Sequence, residues 1–119
     1  MQPAGRFATE DQAVAEGTFQ TIARVGEIAE GQGVLVEVDG LFIALFHCAG
    51  QYYAIDDACP HQGAPLSDGV VFDQERSVTC TWHGWRFSLE DGRHLDGSRC
   101  KVATYPVRVV DGEVQILID

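Results

Sequence analysis

Two short pairs of residues restrict this chain more than anything else in it. Cys59-Pro60-His61 is a Cys-x-His pair, and Cys80-Thr81-Trp82-His83 is a Cys-x₂-His pair, with 18 residues between His61 and Cys80. Each pair offers one soft thiolate and one borderline imidazole, the donors of a metal site. Whatever the chain folds into must bring two separate loops face to face. Antiparallel strand ends can do this, because hairpins return the chain to its starting point.

Around those pairs the chain reads as short strands. Phe19, Thr21 and Ala23 alternate with Gln20, Ile22 and Arg24, a half-buried strand pattern. Gly33–Val38 and Leu41–His47 flank Asp39-Gly40, a two-residue hairpin signal. Ala49-Gly50 turns the chain into Gln51–Ile55, so the first half is expected to be a β-meander leading into the first pair. Val70–Phe72 and Ser77–Cys80 form a hairpin that delivers the second pair, and Arg86–Leu89 leaves it. Tyr105–Val110 and Glu113–Ile118, joined by Asp111-Gly112, predict a last hairpin with Val114, Ile116 and Ile118 on one face. No helical period runs through residues 18–118, so the class is all-β. Residues 1–17 are polar and small and are expected to be a flexible tail, with a weak helical signal across Thr9–Glu16.

The run CPHQGAPLSDG … CTWHGWRFSLEDG resembles the Rieske-type ferredoxins of bacterial multicomponent oxygenases. The resemblance covers roughly residues 18–118. It implies a Rieske domain over residues 18–119: stacked antiparallel sheets with a cluster-binding subdomain at about 57–89. It implies one [2Fe–2S] cluster, with Cys59 and Cys80 on one iron and His61 and His83 on the other. Gly63 and Gly84 are then expected to let backbone N–H groups come close to the sulfurs. In high-potential relatives a disulfide ties the two loops, and a Ser and a Tyr hydrogen-bond to cluster sulfurs. The matching positions here are Ala64 and Trp82 for the disulfide, and Trp85 and Phe87 for the hydroxyls. The resemblance therefore implies a potential low in the Rieske range.

The implied function is a soluble one-electron carrier, without a catalytic site of its own, between a flavin or iron–sulfur reductase and a terminal oxygenase. The spacing Cys100-x₅-Pro106 also resembles the small subunit of assimilatory NAD(P)H nitrite reductase, which would make the large subunit the partner. A third alternative is a zinc-stapled module, since Cys₂His₂ is a zinc set, although zinc fingers pair Cys with Cys and His with His. A complete oxygenase chain is not expected, because only His47 and His94 remain outside the motifs for a second iron site.

Net charge is −10, from 8 basic and 18 acidic side chains. That speaks against nucleic acid as a partner, which needs clustered Lys and Arg, and suits partners with basic patches. The longest apolar run, Leu41–Phe46, is too short for a membrane span. With no secretory signal visible, a cytoplasmic location is expected. Cys48 and Cys100 are expected to be free, and His47 and His94 to be structural. Trp82 and Trp85 are expected to shield the cluster or dock a partner, with Pro65 and Leu66 joining an apolar rim. The acidic pairs, Asp56-Asp57 among them, read as solvated turns.

Overall fold

The computed structural model describes residues 18–60, 63–82 and 84–118. The expected tail and its helical signal lie outside the described residues, as do His61 and His83. The strands are β1 (Thr18–Arg24), β2 (Gln32–Val38), β3 (Leu41–Cys48), β4 (Gln51–Asp56), β5 (Val70–Phe72), β6 (Ser77–Thr79), β7 (Arg86–Ser88), β8 (Thr104–Tyr105), β9 (Val107–Val110) and β10 (Glu113–Ile118). One 3₁₀ turn, Leu66–Asp68, precedes β5.

All pairings are antiparallel and form three sheets, ordered β9-β10-β1, β2-β3-β4-β8 and β5-β6-β7. Strand β3 explains the layering. Its side chains alternate between faces, yet Ile43, Ala44, Leu45 and Phe46 are all fully buried. Ile43 and Leu45 pack with Val114, Ile116 and Ile118 of β10. Ala44, Phe46 and Cys48 pack with Val78, Phe87, Leu66 and both motif cysteines. The middle sheet is thus covered on both sides, which is why β3 reads as one apolar run rather than as an alternation.

The hairpin turns formed where Asx-Gly and Ala-Gly pairs predict them. Asp39, Ala49 and Asp111 take φ of 52°, 53° and 52°, as a primed turn requires of its first central residue. Alanine tolerates this poorly. The Glu30 carboxylate supports it, accepting the Ala49 N–H at 2.6 Å and the Gly50 N–H at 3.0 Å. His47 backs the same turn: Nδ1–H donates to the Ile28 carbonyl at 2.9 Å, and the ring stacks on Tyr52 at 4.5 Å.

Two expectations need correction. The meander comprises β2, β3 and β4 only, because β1 pairs with β10 at the far end of the chain. The β1–β10 register slips between Val114 and Gln115, a bulge that turns both Ile22 and Ala23 toward the core. The stretch Tyr105–Val110 is two strands, not one. Pro106 has no N–H for a ladder, and there the chain passes from β8 in the middle sheet to β9 in the outer one.

Gly92, after β7, predicts a sharp mutational result. Its φ is +77°, and a Cβ there would sit 2.1 Å from the Val102 carbonyl oxygen. That oxygen is backbone and cannot swing aside. Gly92→Ala is expected to cost about 2–4 kcal/mol from strain and overpacking together. Chemical denaturation checks this, and a loss below about 1 kcal/mol would contradict the close approach.

Candidate metal centre

Strand β4 feeds the first motif loop. Asp57 anchors its entrance: its N–H donates to Phe42 O at 3.0 Å, its carbonyl accepts from Leu66 N–H at 2.6 Å, and its carboxylate accepts from Ser67 N–H at 2.8 Å. Asp57 is buried rather than a solvated turn residue. Its neighbour Asp56 accepts the Tyr105 hydroxyl at 2.6 Å. Burial and this carboxylate push the Tyr105 phenol up to about 12. The Asp57–Ser67 link spans ten residues, with no local signal to reveal it.

The two motif loops close in the same way. Cys59 N–H donates to Ala64 O at 2.9 Å, and Gly63 N–H donates back to Cys59 O at 2.7 Å. Cys80 N–H donates to Trp85 O at 2.8 Å, and Gly84 N–H donates back to Cys80 O at 2.9 Å. Gly63 and Gly84 carry φ of 79° and 75°, so both loops reverse on a residue without a Cβ. Both glycine N–H groups thus serve to close the loops on the cysteine carbonyls. The motifs differ in Cys-to-His spacing, yet the hydrogen-bonded frame around them is the same.

The structure brings the two cysteines of the expected ligand set together. Cys59 and Cys80 are both buried, neither is in a disulfide, and both belong to one apolar cluster with Ala64, Leu66, Val78 and Phe87. His61 and His83 lie outside the described residues, and among those described no group of three or more metal-binding side chains assembles. Matched loops, each presenting one buried thiol, suit a binuclear cluster with sulfur ligands on its inner side.

The surroundings sort the remaining candidates. Trp82 is 60% exposed, whereas Trp85 packs against the core beside Phe87. The two tryptophans therefore do different work. Leu66 is fully buried and not part of a surface rim. Cys48 and Cys100 are free thiols. Burial, then a hydrogen bond to Asp73, pushes the Cys48 thiol up to about 11.

Arg86, the first residue of β7, clamps two carboxylates. Its Nη1 lies 2.9 Å from Glu75 Oε1 and its Nη2 lies 2.7 Å from Asp96 Oδ1. The Arg86 hydrogen bond holds the Asp96 carboxyl below its usual range. The clamp therefore stabilises the fold above the ordinary carboxylate pKa and is lost as pH falls through the lowered one. It ties the irregular segment after β7 to the exit of the second loop. In the sequence the three residues look like ordinary surface charges.

Comparison with known proteins agrees with this geometry. Residues 18–117 match the model of the Rieske-like [2Fe–2S] domain. The ferredoxin subunit of 3-phenylpropionate/cinnamic acid dioxygenase from Escherichia coli K12 is 34% identical over 93 residues, covering 77% of this chain and 86% of the subunit. The terminal oxygenase component of carbazole 1,9a-dioxygenase from Sphingomonas is 37% identical over 101 residues, but this chain spans 27% of that component's length. A crystal structure described as an NADH-dependent nitrite reductase small subunit from Mycobacterium tuberculosis superposes with a TM-score of 0.81 and 31% identity, covering 88% of this chain and 98% of that one. The zinc alternative, open on the donor set alone, gives way to one Rieske-type [2Fe–2S] cluster. On its sequence match, its three antiparallel sheets and its paired cysteine loops, this chain belongs to the family of Rieske-like [2Fe–2S] domains.

Proposed function

We propose that this protein is a Rieske ferredoxin, carrying single electrons from a flavin or iron–sulfur reductase to a terminal oxygenase. The observation that carries the reading is the match to a dioxygenase ferredoxin subunit, 34% identical with 86% of that subunit covered. Cys59 and Cys80 would hold one iron, and His61 and His83 the other. The cluster, when bound, supplies a reversible one-electron change at neutral total charge in its oxidised form.

The chain's own residues do the rest. Ala64, Leu66, Val78 and Phe87 keep water from the cysteines. Loop closure on Gly63 and Gly84 holds both thiols in place. Exposed Trp82, beside His83 in sequence, offers apolar area to a redox partner, and brief redox encounters bury little surface. The −10 charge favours a partner with a basic docking face. No helix among the described residues is long and apolar enough to cross a membrane. The experiment is electron delivery: the reduced, brown protein should be reoxidised by a terminal oxygenase with its aromatic substrate. Failure with oxygenases, together with tight association with a nitrite reductase large subunit, would support the second reading, which the M. tuberculosis similarity favours.

The potential is expected in the lower half of the Rieske span of about −150 to +300 mV. Phe87 is fully buried and Trp85 packs beside it, and neither carries the hydroxyl that stabilises a reduced cluster in high-potential relatives. A redox titration giving a midpoint in the upper half would refute this.

A further inference from the structure

His94 lies outside both motifs, yet the residue is only 6% exposed and its ring stacks on Trp85 at 4.3 Å and 15°. It also leans on Phe87 at 5.4 Å. Its hydrogen bonds assign the tautomer. Ser98 N–H donates to Nδ1 at 3.3 Å, so Nδ1 is an acceptor. The Ser98 hydroxyl stands 2.5 Å from Nδ1 and accepts the Cys100 N–H at 3.0 Å, so its own proton points to the ring. The proton of a neutral ring therefore sits on Nε2. Nε2 is buried without a hydrogen-bond partner among the described residues, with the Asp96 carboxylate 3.8 Å away.

A buried N–H left in that state is costly, and a Leu or Phe would fill the volume without that cost. What the imidazole adds is a fixed orientation. Two hydrogen bonds from Ser98 lock one edge, and the face is then presented flat to Trp85. Trp85 is also the residue whose carbonyl accepts the Cys80 N–H and closes the second loop.

We propose that His94 is a positioning residue for the second ligand loop. Through the stack it holds Trp85, and through Trp85 it holds Cys80. This rests on the reading of Cys80 as a cluster ligand. Ser98, Asp96 and Arg86 complete the support: Asp96 accepts the Arg86 backbone N–H at 3.2 Å as well as its guanidinium.

The test compares His94→Ala, His94→Phe and Ser98→Ala with Ile116→Val, a truncation in the opposite core. Amide exchange at Cys80 and Gly84 is read together with the EPR line shape and the potential of the cluster. His94→Ala should speed Cys80 exchange about tenfold by local opening and alter the line shape. His94→Phe keeps a ring against Trp85 but loses both Ser98 bonds, so it should speed exchange at least as much as Ser98→Ala, a few-fold, and less than His94→Ala. Ile116→Val should change none of these readouts. If His94→Ala does not fold, Ser98→Ala alone decides, since unchanged exchange there would overturn the proposal. Exchange and line shape in His94→Ala no different from Ile116→Val would also overturn it. A wild-type protein that bound no iron would refute the cluster reading, while Cys80 exchange would still decide whether His94 positions the loop.

Discussion

Cys59→Ser and Cys80→Ser should each yield colourless protein with less than about a tenth of the wild-type iron, because a serine hydroxyl stays protonated and is a hard donor where the iron needs a thiolate. The loss should be nearly complete in either single variant, since in the proposed assignment both thiols would serve one side of one cluster. Cys48→Ser is the control. Cys48 is as buried as the other two and shares their apolar cluster, but its thiol is pushed up to about 11 by burial and Asp73. Its variant should keep full iron, as should Cys100→Ser. Iron analysis and visible absorption on the four proteins would decide, and retention of iron in either motif variant would end the ligand assignment. Chelating the iron from wild type should loosen Cys59, Gly63, Ala64, Cys80, Gly84 and Trp85 first. Ile43, Leu45, Val114 and Ile116 form a separate core and should keep their protection from exchange.

Phe87→Ala should destabilise the fold by about 3–5 kcal/mol, the usual cost of emptying a buried aromatic site. Phe87 is fully buried in the same apolar cluster as the cysteines and lies against the rings of Trp85 and His94. Small domains are stable by only about 5–15 kcal/mol, so the variant would be marginal at best. Urea unfolding measures the loss, and the cluster spectrum shows its local consequence. Ile116→Ala should cost about 2–5 kcal/mol in the other core yet leave the spectrum unchanged in whatever protein stays folded. A Phe87→Ala protein with wild-type stability would mean that its ring does not hold this cluster together.

The candidate ligands and the hairpin turns could be read without coordinates, because residue spacing and turn chemistry are local features. Cys59 and Cys80 announce themselves by residue type and by spacing to His61 and His83. The turns at Asp39, Ala49 and Asp111 follow from short-range backbone sterics. The alternation of Val114, Ile116 and Ile118 became a buried face as expected. In each case the cause lies within a few residues.

Other features escaped because their cause is distant in the chain. Asp57 looks like a surface acid until Ser67 folds back onto it. His94 looks like a stray turn residue until Trp85 arrives over its ring. β1 reads as the start of a meander, yet its partner is β10, reached after nearly the whole chain has been laid down. The amino-acid order by itself determined the strand periods and the turns and marked the candidate donors, because covalent geometry and short-range sterics act along the chain. Only the tertiary structure decided which tryptophan packs against the core, which acid is desolvated and which sheet each strand joins, because burial depends on what packs across space.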